Sequence, residues 1–311
     1  MLAKPVKQKL AGWNLVLLIA LAFLWGTAFM FITLGLVDQP DHAASFSPLL
    51  FAALRFDLAG AVILLIALVR RAPMMPKTRA QWTAIGLASA LQVGGYHALL
   101  FLGQPYLDES VAAIVVALNP ILTTVAARLF LTDERLGSAG LVGLASGLVG
   151  VVILTLASSQ VFHFAILGMA LTFGAVLSWS VSSTLVRRTR HGMDVFAFTA
   201  WQMLLGAILL HASSLLFEHG TAKAVFDTDG IVSLLYLALV SSAIGFLLYY
   251  TLLERVGPIR SNLVSNLAPI FATLAGIAVL HTAFHPLFLV AFAFIAGGFL
   301  LVARPTRPKT T

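Results

Sequence analysis

Apolar stretches of about 20 residues follow one another along almost the whole chain, separated by short breaks that carry charges, glycine and proline. A helix of about 20 apolar residues crosses the roughly 30 Å hydrocarbon layer of a bilayer. Hydrophobic residues make up 60% of the chain and charged residues 10%, far from the composition of water-soluble domains. The sequence therefore predicts an all-α integral membrane protein with ten transmembrane helices, at residues 13–36, 46–69, 81–103, 109–130, 137–156, 163–186, 195–217, 231–253, 259–280 and 285–303.

The basic residues predict the orientation of these helices. If the N-terminus is cytoplasmic and ten helices alternate, all but two of the 19 lysine and arginine residues fall on the cytoplasmic side, the exceptions being Lys223 and Arg55. Cytoplasmic loops of membrane proteins carry such an excess of basic residues. We therefore expect both termini in the cytoplasm, as short tails at 1–11 and 304–311.

The two halves of the chain resemble each other weakly. "ALNPILTTVA" (117–126) aligns with "NLAPIFATLA" (266–275), and "FLWGTAF" (23–29) aligns with "VLSWSVS" (176–182) at a similar offset. A unit of five helices, an odd number, would place its second copy upside down relative to the first. The pattern predicts two inverted five-helix repeats, at 12–156 and 163–303, with a substrate site between them near the bilayer midplane.

Several short motifs resemble the drug/metabolite transporter superfamily, and specifically proteins built from two EamA domains. They lie in both halves of the chain and read "LWGTAF", "ALRFDLAG", "NPIL", "DERLGSAGLVGLASGLVGVVIL", "SWSVSSTLVRR", "APIFATLAG" and "GGFLLVA". The resemblance implies export of amino acids or related compounds, and bacterial aromatic amino-acid exporters are similar. The chain departs from the family pattern at one turn: Glu134 and Arg135 form it in the first half, whereas the second half reads "HTAFHP" there.

Arg55 and Asp57 stand inside the second apolar stretch. A charged side chain near the centre of a membrane helix costs roughly 2.5–3.5 kcal/mol on insertion scales, so such residues usually face protein or water. Residues two apart on a helix point about 200° away from each other, so each needs a partner on another helix. We name Gln92, Tyr96 and His97 of the third stretch as candidates. Arg55 is expected to receive a substrate carboxylate; the alternative is an ion that only locks helices together.

Other polar and aromatic residues lie deep in the predicted helices. Asp57 and His97 are the candidates for proton coupling, although a buried histidine is also commonly a hydrogen-bonded structural group. Pro120 and Pro269 predict mid-helix bends. The residues expected to line a substrate pathway are Arg55, Trp25, Tyr96, His97, Asn119, Trp179, Gln202, Tyr249 and Asn266.

Small residues predict close packing of two helices. Gly143 and Gly147 share one face of the fifth helix, and Ala293 and Gly297 share one face of the tenth. Small residues four apart let membrane helices approach closely. We expect the fifth and tenth helices to serve as scaffold.

The sequence contains no nucleotide-binding loop, dinucleotide fingerprint, zinc-protease motif or nucleophile elbow, and no cysteine. It therefore predicts no cofactor, no metal, no nucleic-acid partner and no enzymatic activity. The preferred interpretation is a secondary transporter or facilitator in the bacterial cytoplasmic membrane that moves small metabolites by alternating access. Proton coupling is left open, and so is the choice between monomer and homodimer. The alternative functions are efflux of multiple cationic drugs by the same fold, and an integral membrane transferase, which would cluster acid–base residues at one surface.

Overall fold

The computed structural model describes most of the chain. The described residues are 10, 12–36, 45–103, 106, 112, 115–131, 136–158, 166–189, 192–220, 223–279 and 284–303. Both predicted tails except Leu10, most of residues 104–114, and the turn at Glu134 and Arg135 lie outside this set, and so does the "HTA" part of its counterpart.

Helices account for nearly all of the described residues, and the one β-bridge among them joins Phe46 to Ala224. Ten helices are described. In chain order, and with α9 given in the next sentence, they are α1 Trp13–Leu36, α2 Pro48–Val69, α3 Arg79–Gly103, α4 Asn119–Phe130, α5 Ser138–Ser158, α6 Ile166–Thr189, α7 Val195–Phe217, α8 Thr228–Val256 and α10 Leu287–Ala303. α9 consists of one turn, Pro258–Ser261, and a longer part, Val264–Val279, separated by Asn262 and Leu263. Below, the first half of the chain means α1–α5 and the second half α6–α10.

Eight of these helices are long and apolar enough to cross a membrane, which confirms the predicted class of an all-helical membrane protein. They are α1, α2, α3, α5, α6, α7, α8 and α9. α4 has 12 residues and α10 has 17. The described helices thus support eight of the ten predicted spans. Much of the chain that would complete the fourth span lies outside the described residues.

Local signals explain where several helices begin. Pro48 occupies the first turn of α2, where its missing N–H has no helical partner to lose. Thr78 and Gln81 form a capping box at the start of α3, and the Asp194 carboxylate accepts two backbone N–H groups at the start of α7. Pro120 likewise lies in the first turn of α4, directly after the turn at residues 117–118 that interrupts the predicted fourth span, and Pro269 lies inside α9.

α3 and α8 each change from α-helical to π-helical geometry midway. The π-helical segments are Ala88–Gly95 in α3 and Tyr236–Ile244 in α8. A π-helix bonds residue i to i+5, is rare, and is found frequently at functional sites. Nothing in the hydrophobic pattern of the sequence predicted them.

The major contacts between helices recur between the equivalent helices of the other half. α2 packs against α7 and α5 against α10, which pairs equivalent helices of the two halves. α1 packs against α8 and α9, while α6 packs against α3 and α4. The π-helical segment of α8 contacts α2, and that of α3 contacts α7. Each interface therefore has a counterpart in which the halves have changed places.

The packing of α5 on α10 confirms the predicted close interface and corrects its residues. A Cβ added to Gly298 would overlap the carbonyl oxygen of Gly143 and lie 2.7 Å from the backbone nitrogen of Gly147. A Cβ on Gly297 would meet nothing within 4 Å, and Ala293 is exposed. The prediction of Ala293 and Gly297 was wrong because several small residues follow one another in α10, so spacing alone did not determine which face is buried.

Candidate functional site

Four of the predicted pathway residues form one aromatic cluster where the halves meet. Trp25 of α1 contacts Trp179 of α6, with ring centres 5.5 Å apart, and stacks on Tyr249 of α8 at 5.6 Å. Tyr96 of α3 contacts Trp179 at 5.0 Å, and Phe246 of α8 contacts both tryptophans. The cluster, defined as Trp25, Tyr96, Trp179, Phe246 and Tyr249, thus combines helices from both halves.

Arg55 is almost completely buried beside this cluster. It is 7% exposed, its Nε donates a hydrogen bond to Ser242 Oγ over 2.8 Å, and its guanidinium carbon lies 4.8 Å from the centre of the Phe56 ring. Among the described residues no carboxylate forms an ion pair with it. The proposed partners Gln92, Tyr96 and His97 do not bond to it either; Ser242, in the π-helical segment of α8, takes that place.

His97 is buried next to Arg55 and the aromatic cluster. Its ring lies 4.7 Å from Phe56 and 5.0 Å from Tyr96, measured between ring centres. Nδ1 is 2.9 Å from the backbone carbonyl oxygen of Val93. Because a carbonyl only accepts, this contact assigns a proton to Nδ1 and leaves Nε2 for another partner.

Asp57 points away from Arg55, as the helical geometry predicted, but to a different partner from those proposed. Its Oδ2 lies 2.6 Å from Nε2 of His211 on α7. The side chains of His211 and Asp57 are 37% and 44% exposed, respectively. The two coupling candidates, Asp57 and His97, therefore lie in different surroundings.

Gln202 belongs to a buried group of amides around one phenol. The hydroxyl of Tyr250 lies 2.7 Å from Gln92 Oε1 and 3.2 Å from Gln202 Oε1. Neither amide nitrogen has a hydrogen-bond partner in the described part of the chain. Gln202 is on α7, the equivalent of α2, which carries Arg55. Gln92 is on the π-helical segment of α3, the equivalent of the segment of α8 that carries Ser242. Each glutamine therefore occupies the position in its own half that Arg55 or Ser242 occupies in the other.

Asn262 organises the polar contacts of the second half with α4, although the sequence analysis did not select it. Its Oδ1 accepts from Trp179 Nε1 over 3.0 Å and from Tyr249 OH over 2.9 Å. Its Nδ2 donates to Thr123 Oγ1 over 2.8 Å and to Ser183 Oγ over 3.1 Å. All of its hydrogen-bonding groups are satisfied, so Asn262 fixes the rings of two cluster members.

The two asparagines predicted to line the pathway, Asn119 and Asn266, lie in different parts of the structure. Asn119 Oδ1 accepts from Ser180 Oγ over 3.0 Å and from Thr123 Oγ1 over 3.1 Å, which connects it to the Asn262 group. Asn266 instead packs its amide against Gly147 of α5, and its Oδ1 has no partner among the described residues. The structure thus brings Asn119 near the cluster and places Asn266 at the edge of the scaffold.

The residues that were missed are small polar groups and a tyrosine next to predicted ones. Ser242 follows Ser241 in an apolar helix, and Tyr250 follows Tyr249. Asn262 lies in the helix break after "VGPIRS", a break that the sequence signals through Gly257 and Pro258. In the described part of the chain no group of three or more histidine, aspartate or glutamate side chains is placed to hold a metal ion.

Comparison with known proteins assigns the same class. The model of the EamA-like transporter family matches residues 12–156 and again 166–304. A probable amino-acid metabolite efflux pump of Salmonella typhimurium is 31% identical over 264 residues, which cover 82% of this chain and 83% of that protein. The uncharacterized transporter YoaV of Bacillus subtilis is 24% identical, with 85% of this chain and 87% of that protein covered.

One solved crystal structure has the same fold. It matches with a TM-score of 0.76 at 24% sequence identity and covers 92% of this chain and 94% of the other. At this identity the match supports the helical architecture only.

Proposed function

The chain belongs to the EamA-like transporter family, and from this premise we propose that it is a secondary transporter that exports amino acids or closely related metabolites. Substrate would bind between the halves, and the two would rock to open the site to either side in turn. The efflux pump of Salmonella supports the substrate class, since its name refers to amino-acid metabolites.

Arg55 is the observation that carries this proposal. A guanidinium has five N–H donors, and only Nε is bonded to another described residue, namely Ser242. A buried charge without an opposite charge is costly, and a ligand carboxylate would offset that cost by accepting two parallel bonds. The carboxylate of an amino acid fits this role.

The aromatic cluster would then hold the rest of the substrate. Ring faces and edges pack well against aromatic or aliphatic side chains, which suits an amino acid with an apolar side chain. Aromatic rings also attract cations, which would favour the alternative of cationic drug efflux. The buried positive charge of Arg55 opposes that alternative, because a cation at the cluster would be repelled by it.

We assign the remaining predicted residues to parts of the same pathway. Tyr96 and His97 would border the carboxylate site. Asn119, at the start of α4 and next to the cluster, would line the part of the pathway beside α4. Gln202 would offer its free amide nitrogen from α7. Asn266, which packs against α5, would act at the margin of the pathway by positioning α9.

The exchange pattern of helix packing supports an inverted-repeat architecture with ten transmembrane helices. Two repeats at 12–156 and 163–303 would make equivalent helices meet across a pseudo-two-fold axis in the membrane plane. The pairings of α2 with α7 and of α5 with α10, and the two π-helical segments, are what such an axis would produce.

The distribution of basic residues supports a position in the bacterial cytoplasmic membrane with both termini in the cytoplasm. We further propose that transport needs no ATP. Either it is uncoupled, or protons drive it through His97 or through Asp57 together with His211. The burial of His97 and the contact of Asp57 with His211 support these groups as the carriers.

Transport by purified protein in lipid vesicles tests the proposal. Vesicles loaded with phenylalanine should take up labelled phenylalanine by exchange without an energy source, whereas phenethylamine, which lacks the carboxylate, should compete poorly. Exchange that phenethylamine and phenylalanine inhibit equally would refute a carboxylate site, and no exchange with any amino acid would refute the substrate class. An imposed pH gradient that leaves net flux unchanged would remove proton coupling.

A further inference from the structure

We propose that the protein is a homodimer in the membrane, and that the exposed face shared by α2 and α7 is its interface. On this face the Asp57–His211 pair of one copy would meet the same pair of a second copy. The proposal uses only the position of this pair on a membrane-embedded helix pair, so it is independent of the substrate.

The location of the Asp57–His211 pair is the first observation. Both residues lie within helices that are apolar enough to span the membrane, and their side chains are 44% and 37% exposed. Strongly polar groups facing hydrocarbon are costly, and those inside membrane helices almost always face protein or a water-filled cavity. Because the pair is this exposed in the single chain, we expect another protein surface to cover it in the membrane.

The neighbours of the pair show that it faces the lipid side of the bundle. One helical turn or two from Asp57 and His211 lie Leu65, 61% exposed, Ile208, 61% exposed, and Leu215, 73% exposed. Because residues three, four or eight apart lie on one side of a helix, these side chains and the pair belong to one surface. The exposed polar pair is thus surrounded by large apolar side chains, a setting suited to burial against protein.

A second copy is the occupant whose chemistry fits. Within one chain Nε2 of His211 donates to Oδ2 of Asp57 over 2.6 Å, so both groups are at one depth in the membrane, and Nδ1 of His211 and Oδ1 of Asp57 remain for a second copy. A two-fold axis along the membrane normal would place His211 of each copy opposite Asp57 of the other. The surface is therefore complementary to itself, as a two-fold interface requires.

Small residues beside the pair would allow the approach. Ala61, one turn from Asp57 on α2, and Ala212, next to His211 on α7, are both exposed. Interfaces between membrane helices are enriched in small residues because these let backbones come close, and polar side chains bond across them. Ala61 and Ala212 together with Asp57 and His211 define the α2–α7 face.

Cross-linking in membranes tests this interface directly because the natural chain has no cysteine. We expect Ala61→Cys or Ala212→Cys to yield covalent dimers with an oxidant or a short bifunctional maleimide. Val142→Cys on α5 and Leu289→Cys on α10 are matched controls, since those residues are 60% and 62% exposed on other faces. They should yield few dimers. Equal cross-linking at the α2–α7 and control positions, or none at the former, would overturn the proposal.

The role of the pair itself requires a second measurement. Single-molecule photobleaching of labelled protein diluted in lipid bilayers counts copies per particle and gives a dimer dissociation constant. Asp57→Asn and His211→Gln should each raise that constant at least tenfold, while an unchanged melting temperature in detergent shows that the chain still folds. If wild-type protein is monomeric at every dilution, there is no dimer, and if both variants dimerise like wild type, the pair does not hold the interface.

Discussion

The indole nitrogen of Trp25, on α1, donates a hydrogen bond over 3.0 Å to the carbonyl oxygen of Ser241, in the π-helical segment of α8. In the other half Ser178 of α6 donates to the carbonyl oxygen of Leu91, in the π-helical segment of α3, over 2.7 Å. Each π-helical segment is thus bonded to the first helix of the opposite half. These two bonds connect the segments to the aromatic cluster, of which Trp25 is a member and which Ser178 adjoins.

Trp25→Phe should weaken the contact between α1 and α8, because phenylalanine keeps a ring but removes the donor. Leaving a buried carbonyl without its partner costs about 1–3 kcal/mol. We expect a lower melting temperature in detergent and slower substrate exchange in vesicles. Trp82→Phe, at a residue 49% exposed, is the control and should change neither. A Trp25→Phe protein that melts and transports like wild type would show that the bond to Ser241 is dispensable.

Arg55 substitutions separate a substrate-binding role from a packing role. Lysine keeps the charge but loses the planar fork that grips a carboxylate with two bonds, so Arg55→Lys should raise the KM for exchange about tenfold or more. Arg55→Gln should nearly abolish exchange while the protein still folds. Ser242→Ala removes only the protein partner of Nε and should affect KM less. If Arg55→Lys transports normally and Arg55→Gln fails to fold, Arg55 is a structural ion.

Gly298→Ala should destabilise the scaffold, because the added methyl group would collide with the backbone of Gly143 and Gly147. Overpacking of this kind costs typically 1–3 kcal/mol. Gly297→Ala places the same methyl group where nothing lies within 4 Å and should be neutral or slightly stabilising, since alanine favours the helix. Thermal unfolding of the two purified variants measures the difference. Equal melting temperatures would contradict the close contact of α5 with α10.

Single cysteines can determine the orientation of the chain. Phe226, 60% exposed before α8, should face the outside, and Met75, 69% exposed between α2 and α3, should face the cytoplasm. An impermeant maleimide added to intact cells should label Phe226→Cys and reach Met75→Cys only after the cells are opened. The reverse pattern would invert the proposed topology.

The helical membrane architecture could be predicted because the length of an apolar stretch is fixed by the thickness of the bilayer, a one-dimensional property of sequence. Three of the five members of the aromatic cluster could be predicted for a related reason: Trp25, Trp179 and Tyr249 lie too deep for the membrane surface, whereas nothing in the sequence selected Phe246. Their mutual contacts depend on helix packing, but depth alone selected them.

Partners of polar residues could not be predicted in the same way. Arg55 bonds to Ser242 and Asp57 to His211, and both choices depend on how α2 is rotated between α7 and α8. An apolar helix has no polar face that would reveal its rotation. For the same reason, the buried face of α10 was assigned to Gly297 when Gly298 is the residue in contact.

The π-helical segments also bear on the descent of the chain. A turn that bonds i to i+5 holds one residue more than an α-helical turn, which is the geometry that one residue inserted into an α-helix would produce. Ala88–Gly95 and Tyr236–Ile244 occupy equivalent places in the two halves. If the halves arose by duplication of one gene, the simplest history puts the inserted residue in the ancestral unit before it was copied. The irregularity would then be older than the protein, and a five-helix ancestor would already have carried the widened turn that each half now presents to the other.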